Sequence, residues 1–500
     1  MKQLPEPRII VLEPNALVRY SQPRIRRRRK LLSRPLLSSV LACAIAISAC
    51  AVTYKPAEIT AQYTTPSSVS TVFLPTATPT IPENHSSVET TPTEIATLAA
   101  PVESKALPTA QPQPSAAEMH ASMLRATLNA LFGEHVALLS SATDATLRGR
   151  NVEVAAATQA LDVNSVAIAE MIGLVYGKEA GVNFLPLWRK QVDSLLDYTN
   201  PSGRDNEKGR QQALDQLATS GEEINAFLAA ANLNLPGTTI AELLRQYVTT
   251  LTAVIDAQAA KTAQASGNQM NAYPALRTAF AHMDIQAETV AVAIADQFPA
   301  RFPGRADTPA ASLHSTLVQL FAEHALLLIK TVDAAIHART IEYEAAFAAL
   351  DANSIALSSA VRSLYGYDAG STFQRLWRTH IGLFIDYTLA LIDRNQATKA
   401  QTLDKLAQST QEIAAFLHAA NPELSTDFVA GLLSEHVQST RSAIDASAAN
   451  ELKTYYAALH AAYSQMSMLA NSLSATLLDD FPSKFGDYEA SRTNQVTADE

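Results

Sequence analysis

Leu376-Trp377-Arg378-Thr379-His380-Ile381-Gly382-Leu383-Phe384-Ile385-Asp386-Tyr387-Thr388 decides the reading of this chain, because the chain contains a second version of it. Leu187-Trp188-Arg189-Lys190-Gln191-Val192-Asp193-Ser194-Leu195-Leu196-Asp197-Tyr198-Thr199 stands 189 residues earlier, and the same offset joins His135 to His324, Asp162 to Asp351, Phe227 to Phe416 and Asp256 to Asp445. A match at one fixed offset marks a duplicated structural unit. A shorter period lies inside it. His324, His380 and His436 are spaced by 56 and 56, and His135, Gln191 and Tyr247 hold the same places in the first copy. Each copy therefore reads as three related units.

The periodicity around these positions is helical. His324 is flanked by Leu317, Leu320, Phe321, Leu327 and Leu328, at the −7, −4, −3, +3 and +4 positions of one helix face. His380 has Phe373, Leu376, Trp377, Leu383, Phe384 and Tyr387 around it, and His135 has Leu128, Leu131, Phe132, Leu138 and Leu139. His436 has Val429, Leu432 and Leu433 on one side and the more polar Ser439 and Thr440 on the other. All six repeat positions are expected to point inward. The punctuation places helices at 123–148, 151–176, 182–203, 207–231, 239–262 and 271–297, then 312–337, 340–365, 371–393, 397–420, 426–449 and 452–480. Gly177 and Gly366 are expected to end helices, Thr239 to Glu242 has capping-box spacing, and Pro274 suits a first helical turn.

Sixteen glycines among 500 residues, with 47% apolar residues, fit the same conclusion, since tight-turned sheets need more glycine and more β-branched residues. The expected fold class is all-α: two tandem copies of a six-helix, three-hairpin bundle after a disordered Pro/Thr-rich stalk. Residues 1–49 read as a signal peptide, 50–115 as a lipid-anchored disordered linker, 116–302 as the first helical domain and 303–310 as a short linker. The second helical domain spans 311–485, and 486–500 is a disordered tail. Two arrangements satisfy the pattern: hairpins closed around a pseudo-threefold axis, or hairpins stacked as a solenoid.

The net charge of −10 is unevenly spread. Residues 1–49 hold ten Lys and Arg against Glu6 and Glu13, a net of +8, so the remainder carries −18. A unit that acidic excludes a nucleic-acid partner, because phosphate binding needs a basic patch. The basic run Arg24 to Lys30 precedes an apolar stretch, Pro35 to Cys50, too short for an ordinary membrane span. Ile47-Ser48-Ala49-Cys50 resembles a bacterial lipobox, which implies cleavage before Cys50 and lipidation of its thiol. Cys43, after Val40-Leu41-Ala42, is a second candidate, and an uncleaved signal anchor is the alternative. Cys43 and Cys50 are the only cysteines, so no disulfide ties the helical copies together. The Pro-, Thr- and Ser-rich linker cannot bury a core, and its physical sense is a stalk lifting the domains off a membrane.

Glu134-His135, Glu323-His324 and Glu435-His436 are each followed nine residues after the His by an Asp, Asp144, Asp333 and Asp445. Nine residues is two and a half turns, which puts the Asp opposite the His and makes it a solvent or helix-end residue. The spacing motifs of di-iron bundles and zincins do not occur, and there is no phosphate-binding glycine loop. What remains is the histidine layer. If the hairpins close, His324, His380 and His436 converge as a candidate metal site for Zn, Cu or Fe. The plainer reading makes each a core histidine bonded to a carbonyl or to Asn353, Ser409 or Gln465, each 29 residues on. In the first copy, Gln191 and Tyr247 are poor ligands, although His282 keeps a two-histidine variant open. Trp377, Phe373, Phe384 and Tyr387 read as core, and Arg378 and Arg189 as partners of carboxylates.

The repeated Leu-Trp-Arg-x-His and Asp-Tyr-Thr elements resemble an uncharacterised helical region of secreted bacterial proteins, some labelled copper amine oxidase-like for a different domain elsewhere in those chains. The resemblance covers about 116–485 and implies export and helical repeats. It implies no oxidase activity here, where the Asn-Tyr-Asp/Glu cofactor signature does not occur.

The expected function is that of a non-enzymatic, lipid-anchored protein facing outside the cell, with a membrane and an unknown protein or envelope component as partners and no cofactor. The alternative is a metal-binding or redox protein using the second copy's histidines.

Overall fold

The structure, a computed structural model, describes residues 119–200, 207–260 and 265–480, all within one compact unit, Ser104–Glu500. For 265–271 and 476–480 only the backbone is described. The signal segment, Cys43, Cys50, the stalk and the 486–500 tail lie outside the described residues.

Every element among the described residues is an α-helix, and there are twelve. The first copy holds α1 (Ala121–Leu147), α2 (Asn151–Tyr176), α3 (Lys178–Thr199), α4 (Glu207–Ala231), α5 (Gly237–Ala259) and α6 (Ala265–Gln297). The second holds α7 (Pro309–Ile336), α8 (Thr340–Tyr365), α9 (Tyr367–Ile392), α10 (Gln396–Ala420), α11 (Thr426–Ala449) and α12 (Leu452–Asp480). Their starts follow local chemistry. The Thr308 side chain accepts from the Ala311 N–H with Pro309 in the first turn of α7, and Asn395 and Ser425 cap α10 and α11 in the same way.

Gly177 and Gly366 do more than end a helix. At φ of 100° and 91° they occupy backbone space that L side chains rarely adopt, and each is at once the C-cap of one helix and the N-cap of the next. With no loop between the two helices of the hairpin, α3 and α9 begin four residues earlier than expected. The helices then cross so closely that a Cβ on Gly370 would sit 2.6 Å from Arg362 Cβ and 2.9 Å from the Ser358 carbonyl.

Each copy closes. Consecutive helices pack side by side, α6 returns to α1 and α12 returns to α7, giving two six-helix rings. The odd-numbered helices converge inside: α1 meets both α3 and α5, and α7 meets both α9 and α11. The closed arrangement therefore holds and the solenoid does not. The copies then face one another with approximate twofold symmetry, α1 against α7, α6 against α8 and α12 against α2. The most apolar helix, α7, is long enough to cross a membrane, but 78% of its apolar window is buried inside this protein.

Two local expectations fail. Pro274 lies inside α6, which begins at Ala265, rather than in a first turn. The Thr239 capping box does not form, because α5 starts two residues earlier after Pro236 and Glu242 bonds Arg245 and Gln246 instead.

Candidate functional site

The inner helices carry the six repeat positions to the two ring centres. Every one of these side chains is enclosed, with at most 1% exposure.

In the first copy the layer is partly bonded, with only His135 Nδ1 and Gln191 Nε2 left without a partner. His135 Nε2 lies 2.8 Å from the Tyr247 hydroxyl, and Gln191 Oε1 accepts from Ser220. Trp188 completes the packing, 5.0 Å from His135 and 5.8 Å from Tyr247 between ring centroids. His282 does not join them; its Nε2 is 3.2 Å from the Leu243 carbonyl oxygen and 3.0 Å from Gln286. Burial lowers the His135 pKa to about 3, with Asn164 opposing part of the shift.

In the second copy three imidazoles come together. The His436 ring stands 5.6 Å from His324 and 5.9 Å from His380, and Trp377 bridges the outer two at 4.6 Å and 5.9 Å. Phe384 packs edge-to-face with His380 at 5.0 Å and with His436 at 5.7 Å. Polar partners are few and distant: Ser409 at 3.3 Å from His380 Nδ1 and Thr440 at 3.4 Å from His436 Nδ1, both beyond the usual range. His380 Nε2, His436 Nε2 and both nitrogens of His324 have no hydrogen-bond partner. Burial lowers the pKa of His380 to about 4 and that of His436 to about 3, the latter helped by His380. His324 falls well below its usual value through burial and the two neighbouring rings. All three are neutral at pH 7.

Of the three expected bonding partners, only Ser409 is placed beside its histidine. Asn353 donates to the Leu320 carbonyl at 2.9 Å and to Glu323 at 2.8 Å, and Gln465 accepts from Ser439 at 2.6 Å. No group of three or more His, Cys, Asp or Glu among the described residues is arranged to hold a metal ion as it stands.

The glutamates of the Glu-His pairs do something the spacing did not reveal. Each turns from its own core toward the other copy: Glu323 accepts from Arg277 at 2.8 Å, and Glu134 meets His460 at 2.5 Å. Asn353 and Asn164 hold the second oxygen of each carboxylate. Arg277 and His460 are themselves equivalent, but 183 residues apart, because the last helix of each copy departs from the 189 offset. Beside them Arg125, 2% exposed, binds Asp284, Glu288, Ser312 and the Ala306 carbonyl. The Asp residues also find roles. Asp144 pairs with Arg148 and Arg150, Asp333 with Arg339, and Asp445 with the Tyr387 hydroxyl and Lys399. Arg189 and Arg378 pair with Asp162 and Asp351 on the preceding helix.

No protein-family model, no curated protein and no solved structure matches this chain.

Proposed function

We infer that the protein is a non-enzymatic, lipid-anchored protein of the cell exterior, held to a membrane through Cys50 and presenting its paired helical rings to an envelope component or another protein. The observation that supports the non-enzymatic part is the enclosure of all six layer side chains, which leaves a substrate no approach to the most distinctive chemistry of the fold. The sequence features that support the anchor are the lipobox-like Ile47 to Cys50 and the stalk after it. A diacyl anchor holds stably where one acyl chain does not. The experiment is Cys50→Ser with membrane fractionation and mass spectrometry of the N-terminal peptide. Release or lack of processing in the variant, with a diacylated Cys50 in the wild type, is the expected result; an unlipidated Cys50 in the wild type contradicts it. The second reading, a metal-binding role for the second copy, is favoured by the unpartnered imidazole nitrogens at its centre.

A further inference from the structure

Four of the six ring nitrogens in the second copy's layer lack a partner, although buried polar atoms in folded proteins almost always have one. Leaving such an atom unpaired costs its full desolvation. The scaffold does not force this cost. The first copy has the same helices, the same tryptophan and the same inward positions, yet joins His135 to Tyr247 and Gln191 to Ser220, leaving only His135 Nδ1 and Gln191 Nε2 unpartnered in its layer. A layer of three histidines where a bonded alternative packs equally well points to something the imidazoles bind.

The spacing identifies what that is. With metal–nitrogen bonds of about 2.1 Å, two imidazoles on one ion place their ring centroids roughly 5–6 Å apart. His436 already stands 5.6 Å from His324 and 5.9 Å from His380. Two of the three ring pairs thus stand at ligating separation, and because no three groups among the described residues are arranged around one ion as they stand, loading requires the rings to reorient.

The charge of the site selects the ion. Glu323, next to His324 in sequence, faces Arg277 and Asn353 across the copy interface, and the layer holds no carboxylate or thiolate. An uncompensated buried charge is costly, and the Born cost rises with the square of that charge, so a divalent ion is penalised far more than a monovalent one. Imidazole suits copper, and Cu(I) accepts two or three ligands without a water.

We propose that His324, His380 and His436 form a buried site for one Cu(I) ion at the centre of the second copy, a site that the first copy has replaced with internal hydrogen bonds. The site does not depend on the lipid anchor or on the identity of an envelope partner.

The test uses the full chain, loaded anaerobically with Cu(I) and ascorbate in competition with bicinchoninate, and compared with Zn(II). The variants are His324→Gln, His380→Gln and His436→Gln, with His135→Gln as the first-copy reference. Expected are one copper per chain, X-ray absorption from nitrogen ligands only, and a copper-dependent rise in Tm that exceeds the zinc response. Each second-copy variant should lose more than the roughly 100-fold in affinity that even outer-shell changes can cost a metal site, while His135→Gln binds as the wild type does. If a single variant fails to fold, His380→Gln with His436→Tyr supplies a replacement layer of the kind the first copy already packs, and it too should lose the copper. A folded, helical wild type that holds no copper after dialysis overturns the proposal. So does equal loss in His135→Gln, copper retained in the double variant, or a high-resolution structure of the copper-treated protein with only a water among the three rings.

Discussion

Tyr247 reaches across the first ring to His135 at 2.8 Å, while at the matching place in the second ring His436 stands beside His324 with its Nε2 unpartnered. Trp188 and Trp377 occupy the same site next to each histidine, 5.0 Å and 4.6 Å away, and the surrounding helices close in the same order. One scaffold therefore tolerates a bonded layer and an unbonded one. The difference teaches that the fold is carried by the apolar stripes, the closed ring and the interface between copies. The layer at the centre is free to vary and can answer to a different requirement.

Acid should expose the difference most strongly. In the metal-free protein these histidines have folded pKa values below the usual ~6.5. Above that pH neither state holds the proton and there is no penalty; below it the unfolded chain binds a proton that the folded one refuses, until the pH approaches 3 to 4. Stability should fall from pH 7 to pH 5 by about 2 kcal/mol per enclosed ring. Among the layer rings the second copy contributes three and the first copy one, and the buried His314 and His282, also lowered, add to both copies. Urea unfolding of the His380→Gln, His436→Tyr variant at both pH values should show an acid loss about 4 kcal/mol smaller than the wild type. An unchanged acid loss would erase the distinction between the layers.

The interface offers a second comparison, because Arg277 and His460 do the same work in different surroundings. Glu323 is 1% exposed, so Arg277→Ala leaves a buried carboxylate without its cation and should cost about 3 kcal/mol. His460 is 55% exposed, and His460→Ala should cost at most about 1 kcal/mol. The His460 pKa is raised, first by its bond to Glu134, so its contribution is present at low pH and fades as pH rises through the folded value. The cost of His460→Ala should accordingly be larger at pH 6 than at pH 8. Equal costs for the two variants in chemical denaturation would contradict the pairing as described.

Tyr247→Phe removes the one bond that distinguishes His135 from His324 and should destabilise the protein by about 1–2 kcal/mol. The converse change, His436→Tyr alone, gives His324 a hydroxyl to bond and should be neutral or stabilising in the metal-free protein. Thermal melts of the two variants side by side check both expectations.

Much of this was legible in the sequence. The 189 and 56 offsets and the stripes around each histidine placed twelve helices and the six inward positions. They did so because helical burial repeats every three to four residues whatever the helices pack against. Closure was not legible: a stripe states that a face is buried, and the same stripe serves a ring or a solenoid. The partner of His324 was misassigned for a related reason. Asn353 comes at the right spacing, but it is claimed by the Leu320 carbonyl and by Glu323, a carboxylate whose burial arises only when the copies meet. The cross-copy cations escaped because Arg277 and His460 fall outside the main offset. Pro274 and Thr239 show the limit of local signals, as each helix extends past the punctuation when neighbouring helices give it a surface to cover.

The claim at the centre of this account is that three neutral imidazoles share one buried layer in the second copy. Ring 15N spectra of the metal-free, histidine-labelled protein at pH 5.5, assigned through single His→Gln variants, address it directly. His324, His380 and His436 should give the paired shifts of neutral imidazole while His460, whose pKa is raised by its bond to Glu134, gives those of imidazolium. Imidazolium shifts for the three core histidines in the folded protein would contradict it.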